Sequence, residues 1–234
     1  PQSVLVRDPG GYRLTARKRM VAFGAEADWM LVPVRSAAGG TAIALIERAK
    51  AMGALKPCTL IDGTPAADLE LTEYPLREAD VLATGEEARR LLLWMADAFA
   101  AAQCAESVGA MRALVNTTAE YLGTRNQFGQ PLSANQALRH RFVDMEIMLA
   151  KAETMAAVAA AAVDAEDADD RSRIVATARY IVTRSAWKVS QEALQMHGAI
   201  GMANETPLGR YFKRLLALSL WFGDEDASLN AAFA

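Results

Sequence analysis

The residues with the clearest capacity for chemistry fall between Tyr121 and Gln136, where one arginine, several amides and one phenyl ring share a short polar stretch. Arg125 offers a planar guanidinium fork that suits a pyrophosphate. Gln127 and Gln136 could add amide donors, and Phe128 could cover an adenine or a ribose. The same arginine, just after Gly123, is also placed to hold the last carbonyls of a helix, and position alone leaves the two readings level. A second group runs from Gln191 to Gly201 and holds Gln195, His197, Gly198 and Ala199. Its glycines remove side chains at a helix end, which permits close approach of backbone to a ligand or forms an ordinary glycine cap. His197 has no acid beside it in sequence and reads as a cap or a packed residue before a base. A third group, Asn204 to Arg214, starts a helix at Thr206 and Pro207 and carries the basic face Arg210, Lys213 and Arg214, which reads as solvated or salt-bridged. Asp97, Glu106 and Glu120 lie on a long helical stretch, where a buried acid would be a candidate base.

The elements that must position these groups change character near Leu82. Before it, short apolar runs alternate with turn signals: Val4–Val6, Tyr12–Thr15, Trp29–Val34, Ala42–Ile46, Cys58–Ile61 and Leu69–Leu71. That spacing predicts a partial antiparallel β-domain over residues 1–83. It opens abruptly at Pro1, so an N-terminal portion of the natural protein is expected to be missing. Residues 84–234 read as helical. Thr84 followed by Glu86 and Glu87 predicts a helix running to about Leu122 and ended by Gly123. Ser133 is the expected cap of a second helix reaching about Ala165, with Phe142, Met145, Leu149 and Ala152 on one stripe. An acidic loop, Asp164–Asp170, starts a third helix that runs from about Asp170 to His197, and a fourth spans about Pro207 to Leu220. Connections this short predict an up-down four-helix bundle, with Trp94, Trp187 and Trp221 in core positions.

Composition narrows the function. The 234 residues carry a net charge of −3, which gives no reason to expect nucleic acid or an anionic membrane. Two cysteines and two histidines make neither a disulfide framework nor a zinc pattern. No apolar run is long enough to span a bilayer and no targeting segment is visible, so the expected location is cytoplasmic. There is no Gly-x-Ser-x-Gly element, no phosphate-binding Walker loop and no Rossmann fingerprint.

Taken in order and spacing, these groups resemble the C-terminal domain of the acyl-CoA dehydrogenases, and Gly11–Lys18 through Trp29 resembles the second half of that family's β-domain. The resemblance covers nearly the whole chain and implies FAD, an acyl-CoA substrate and a tetramer with FAD at a subunit interface. It places Arg125, Gln127, Phe128, Gln136, Gln195, His197, Gly198 and Ala199 in the half-site that holds the ADP portion of a neighbouring subunit's FAD. The flavin-ring side differs: Met20, Val21 and Ala22 stand where the family often has Trp-x-Thr or Trp-x-Ser, so Ala22 lacks the hydroxyl. The base differs too. Phe222 aligns with the usual glutamate, Phe99 with the alternative base on the long helix, and Ala100 with a substrate-binding arginine. Phenylalanine cannot abstract a proton.

No catalytic residue is therefore assigned. The leading expectation is a base-lacking subunit of an α2β2 acyl-CoA dehydrogenase of the kind known from bacterial steroid side-chain breakdown. It would lend an ADP half-site to a homologous partner that carries the substrate, with an electron-transfer flavoprotein as acceptor. Two alternatives stand beside it: a homotetrameric enzyme with a relocated base, Asp97 and Glu225 being the nearest acids, and a non-catalytic assembly protein of the same fold.

Overall fold

The computed structural model describes residues 3–203, 206–221, 223 and 225–233. Phe222 lies outside them, as does the side chain of Glu225. The chain divides into two compact units, Pro1–Met95 and Ala96–Ala234.

The first unit is a seven-stranded sheet: β1 (Val4–Asp8), β2 (Gly11–Ala22), β3 (Trp29–Ser36), β4 (Thr41–Glu47), β5 (Leu55–Thr59), β6 (Pro65–Leu76) and β7 (Val81–Thr84). Their spatial order is β5-β6-β2-β1-β3-β4-β7, and a one-turn helix, α1 (Arg48–Ala51), follows β4. The pairing is antiparallel except for β1 and β3, which run parallel through Val4↔Arg35 and Leu5↔Ser36. β2 and β6 are each 12 residues long, well beyond the apolar runs that mark them in the sequence, because their outer halves alternate with charged residues. Alternation puts Met30, Val32 and Val34 of β3 into the core with Leu5, Leu14, Ile46, Leu69 and Leu71. Gly11 closes the β1–β2 hairpin at φ 140, and a Cβ there would stand 2.2 Å from the Leu76 carbonyl oxygen, so no other residue fits.

Helix α2 (Gly85–Thr124) begins in the first unit, where Ala88, Leu91, Leu92 and Met95 pack on Ile43 and Ala83. The second unit holds the rest of α2, then α3 (Gln136–Ala162), α4 (Ala168–His197), α5 (Leu208–Leu220) and a short α6 (Glu225–Phe233) that the sequence did not announce. Its core is a set of helical stripes: Met111, Leu114 and Val115; Met145, Leu149 and Ala152; Val182, Ala186 and Val189. Full burial of each large side chain stabilises by about 1.5–3 kcal/mol. Phe142 packs half-buried against the same core.

Helix ends depart from expectation in instructive ways. α3 is capped by Asn135, whose Oδ1 accepts from Ala137 N, because Ser133 is consumed in the single 3-10 turn Leu132–Ala134. Gly123 continues α2 for two residues before the chain leaves it. Asp167 caps α4 by accepting from the backbone of Asp169 and Asp170, which accounts for part of the acidic loop. Trp94 and Trp187 are not core residues; each is more than two-fifths exposed. Among the described residues no helix is long and apolar enough to cross a membrane, and no cluster of side chains could hold a metal ion.

Candidate functional site

Beyond α2 the chain forms an arm. β8 (Asn126–Gln127) and β9 (Gln130–Pro131) pair through a two-residue turn, Phe128-Gly129, with φ values of 54 and 80. Positive φ at both turn positions is the pattern whose twist matches a hairpin, and it normally selects glycine or asparagine. A phenylalanine there costs about 1–2 kcal/mol. The ring is 98% exposed, and every side chain from Thr124 to Pro131 faces solvent. Backbone bonds from Arg125 N to Tyr121 O (2.9 Å) and from Leu132 N to Arg125 O (2.8 Å) fix the arm's root.

The root also bears on Arg125. Thr124 Oγ1 donates to the Glu120 carbonyl at 2.8 Å, and Asn126 Nδ2 donates to the Thr124 carbonyl. Those two side chains serve the helix end. Arg125 is exposed, and its guanidinium forms no hydrogen bond or ion pair among the described residues. Gln127 turns its amide onto the Asn126 carbonyl, and Gln136 is the exposed first residue of α3.

At the end of α4, Gly198 adopts φ 61 and donates its N–H to the Leu194 and Gln195 carbonyls. Gln195, Gly198 and Ala199 line an open cleft of about 550 Å3 with Gln191, Leu194, Met202 and Phe212. His197, counted with them in sequence, points the other way. Its ring is buried, stacked 4.3 Å from Tyr121, with Nδ1 bonded to the Ala193 carbonyl at 2.8 Å. Burial lowers its pKa, against the raising effect of the Ala193 and Thr117 backbones, while Nε2 makes no hydrogen bond within ordinary geometry. A buried neutral imidazole is a packing group, so only its backbone can face a ligand. Tyr121 also donates to the His197 carbonyl, at 3.4 Å. This residue was not among the sequence candidates, yet it joins the ends of α2 and α4 and so brings the root of the arm beside the cleft's helix.

The positions aligned with a base look different. Phe99, at the aligned base position on α2, meets Trp221 at 5.8 Å between ring centroids; Phe222, the other aligned position, lies outside the described residues. The Arg214 guanidinium lies 5.0 Å from the Trp221 centroid and is held in two bonds by Glu106. Arg179, buried in α4, binds the Trp221 and Gly223 carbonyls and Ser228. Ala100 brings no charge. Asp97 is buried but engaged: its Oδ2 accepts from Arg171 Nε at 2.9 Å and from Ser172 Oγ at 2.8 Å.

In the first unit, Met20 sits at φ 49 in an irregularity of β2, its N–H bonded to Asp68 Oδ1 and its side chain largely exposed. Ala22 pairs with Ala66 and supplies no hydroxyl. Lys18 donates to the Pro33 carbonyl at 2.6 Å, and burial lowers its pKa.

Comparison with known proteins gives a consistent picture. The family described as acyl-CoA dehydrogenase, C-terminal domain, matches residues 90–232. The acyl-CoA dehydrogenase IpdE2 of Mycobacterium tuberculosis is 31% identical over 202 residues, covering 76% of this chain and 61% of that protein. Its counterpart from Mycolicibacterium smegmatis is 35% identical over 120 residues, covering 51% of this chain and 36% of that protein. The chain thus spans between about a third and three-fifths of the length of these relatives. Among solved structures, a variant of the Tcur3481–Tcur3483 steroid ACAD superposes with a TM-score of 0.86 at 26% identity, covering 100% of this chain and 62% of that one. A glutaryl-coenzyme A dehydrogenase in complex with glutaryl-CoA superposes with a TM-score of 0.90 at 21% identity, covering 100% and 60%, a likeness of fold.

Proposed function

The chain belongs to the acyl-CoA dehydrogenase family, and from that premise we propose that it is the base-lacking subunit of an FAD-dependent acyl-CoA dehydrogenase. It lends an ADP-binding half-site to a homologous catalytic partner. The observation that carries this reading is the arm: a strained, almost fully exposed Phe128 beside an Arg125 whose guanidinium forms no hydrogen bond or ion pair among the described residues. A donor fork and a ring held outward suit a pyrophosphate and a nucleoside that arrive with another subunit. The cleft of Gln195, Gly198 and Ala199 adds a backbone approach of the kind that phosphates and riboses accept.

FAD supplies the hydride acceptor for α,β-dehydrogenation of an acyl-CoA thioester when it is bound. In this reading the chain's own residues bind and orient its ADP portion, and the proton is taken by a base on the partner. The solved steroid ACAD supports a steroid-derived acyl-CoA as the partner's substrate; the same reading takes an electron-transfer flavoprotein as acceptor and the cytoplasm as location. A relocated base gains no support from Asp97, which is committed to Arg171 and Ser172.

Flavin absorbance of the purified chain, alone and co-expressed with a homologous dehydrogenase subunit, tests this. FAD retained only in the complex, near one per heterodimer, and lost with Arg125→Ala supports the half-site. Stoichiometric FAD and acyl-CoA oxidation by the chain alone would overturn it. Flavin content unchanged by Arg125→Ala would favour an assembly role.

A further inference from the structure

A cavity of about 610 Å3 opens between α3 and α4, and it shares no lining residue with the cleft beside Gly198. Met148 and Lys151, one turn apart, supply its α3 side. Its α4 side comes from two overlapping stripes, Tyr180, Arg184 and Lys188, and Ile181, Ser185 and Lys188. Lys151, Arg184 and Lys188 are cations and no acid lines the cavity, a local reversal in a chain whose net charge is −3. Lys188 shares Glu192 with Arg141, at 2.9 and 2.7 Å. Arg184 Nη1 donates to the Tyr180 hydroxyl, a neutral partner, at 2.9 Å. Lys151 makes no hydrogen bond or ion pair among the described residues. Ser185 adds a second, independent observation. It is 5% exposed, it lines the cavity, and its hydroxyl has no hydrogen-bond partner among the described residues. A hydroxyl inside a helix commonly turns back onto the carbonyl four residues earlier, as those of Thr118, Thr154 and Thr177 do in this chain. Ser185 does not, so a buried donor stays open toward the cavity.

We propose that this cavity binds a phosphate monoester carried on an aromatic body, as in a nucleoside monophosphate. The site needs no flavin and no partner subunit. A phosphate monoester carries a charge of about −1.5 to −2 at neutral pH and three strong acceptor oxygens. Lys151 meets it from α3, and Arg184 and the Ser185 hydroxyl meet it from α4, so donors come from both walls. A carboxylate brings one charge and two oxygens, a poorer match to three cations and a hydroxyl. The volume far exceeds a phosphate group and falls within the range of small-molecule pockets, about 300–1,000 Å3. Met148 and Ile181 give the body an apolar surface. Trp187, 42% exposed and held by Phe212 at 5.6 Å between ring centroids, gives it an aromatic wall on which a planar ring stacks. The surface of a partner protein would cover the cavity mouth and leave the Ser185 hydroxyl unmet, whereas a small anion enters.

Calorimetric binding of AMP, adenosine and inorganic phosphate to the full chain tests this, repeated on Lys151→Ala, Ser185→Ala and Arg125→Ala. The wild type is expected to bind AMP at least about tenfold more tightly than either fragment, the worth of one charge-assisted hydrogen bond or one stacked ring. Lys151→Ala weakens AMP binding by about tenfold, and Ser185→Ala by about three- to tenfold. Lys151 is exposed, so its removal leaves the fold intact. Ser185→Ala melts no lower than the wild type, because the lost hydroxyl has no partner in the fold. Arg125→Ala keeps AMP binding, which separates this cavity from the ADP half-site. Equal affinity for AMP and adenosine, AMP binding untouched by both Lys151→Ala and Ser185→Ala, or AMP binding lost with Arg125→Ala would each overturn the proposal. A wild type that binds no AMP, with a subunit complex weakened by Lys151→Glu, would overturn it too and assign this face to a partner subunit.

Discussion

Replacing Asp97 separates a structural acid from a catalytic one. The Asp97 and Arg171 side chains are 12% and 8% exposed, so water screens their attraction little. Arg171 has one further bond, to the Ala165 carbonyl, and Ser172 depends on the same carboxylate oxygen. Asp97→Ala leaves a buried guanidinium without its counter-ion, a loss of about 3–5 kcal/mol. For a chain of this size that lowers the melting temperature by about 6–20 °C, at roughly 2–4 °C per kcal/mol. The double variant Asp97→Leu, Arg171→Met removes both charges and should recover most of the loss, since a buried pair exchanged for apolar groups is often neutral. Melting curves of the three proteins check the coupling. Asp97→Asn gives the functional half of the test. It keeps the side chain's shape and should reduce stability without touching acyl-CoA oxidation by the assembled complex. Oxidation abolished by Asp97→Asn with an unchanged melting curve would mean that Asp97 is the base and that the half-site reading is wrong.

Three further outcomes follow from particular groups. Phe128→Gly relieves the positive φ, so the chain alone should gain about 1 kcal/mol while the complex retains less flavin, read by melting and by absorbance. His197 is held below its ordinary pKa by burial, so the folded state binds its proton less readily than the unfolded state; stability is full above about pH 6.5 and falls as pH drops through the folded value. Denaturation midpoints from pH 8 to pH 5 should show that fall, and His197→Phe should flatten it. Burial pushes the Cys104 thiol up to about 12, so iodoacetamide at pH 8 should label exposed Cys58 alone in the native chain and both thiols after unfolding, as counted by mass.

What could be read from the sequence was what local physics decides. Gly198 ends α4, Asp167 and its acidic neighbours begin it, and Met145, Leu149 and Ala152 fall on the buried stripe of α3. Two kinds of feature escaped. Where two residues could each serve, neighbouring backbone decides: Ser133 and Asn135 are both good caps, and the 3-10 turn through Ser133 leaves the task to Asn135. Where partners are distant in sequence, nothing local marks them. Asp97 and Arg171 are 74 residues apart, and Tyr121 and His197 are 76 apart. Indole is large and apolar, yet Trp94 and Trp187 each keep an exposed face rather than the core position that the sequence predicts. In the candidate site, the types of Arg125, Gln195 and Gly198 were legible, but not the left-handed Phe128 or the inward turn of His197.

The two halves of the candidate site differ in what they do for the chain itself, and that difference bears on function. Phe99, Trp221, Arg214 and Glu106 contact one another, so aromatic packing and a bidentate ion pair reward the fold for keeping them. The arm gains nothing of the kind. Phe128 buries almost no surface, spends about 1–2 kcal/mol on its backbone, and would be replaced at a profit by glycine if the chain's own stability were all that mattered. A strained residue persists where something over-determines it, and among the described residues no packing does so for Phe128. The proposed half-site would account for this, since it gives Phe128 and the Arg125 beside it a use toward a ligand or a partner from outside the chain.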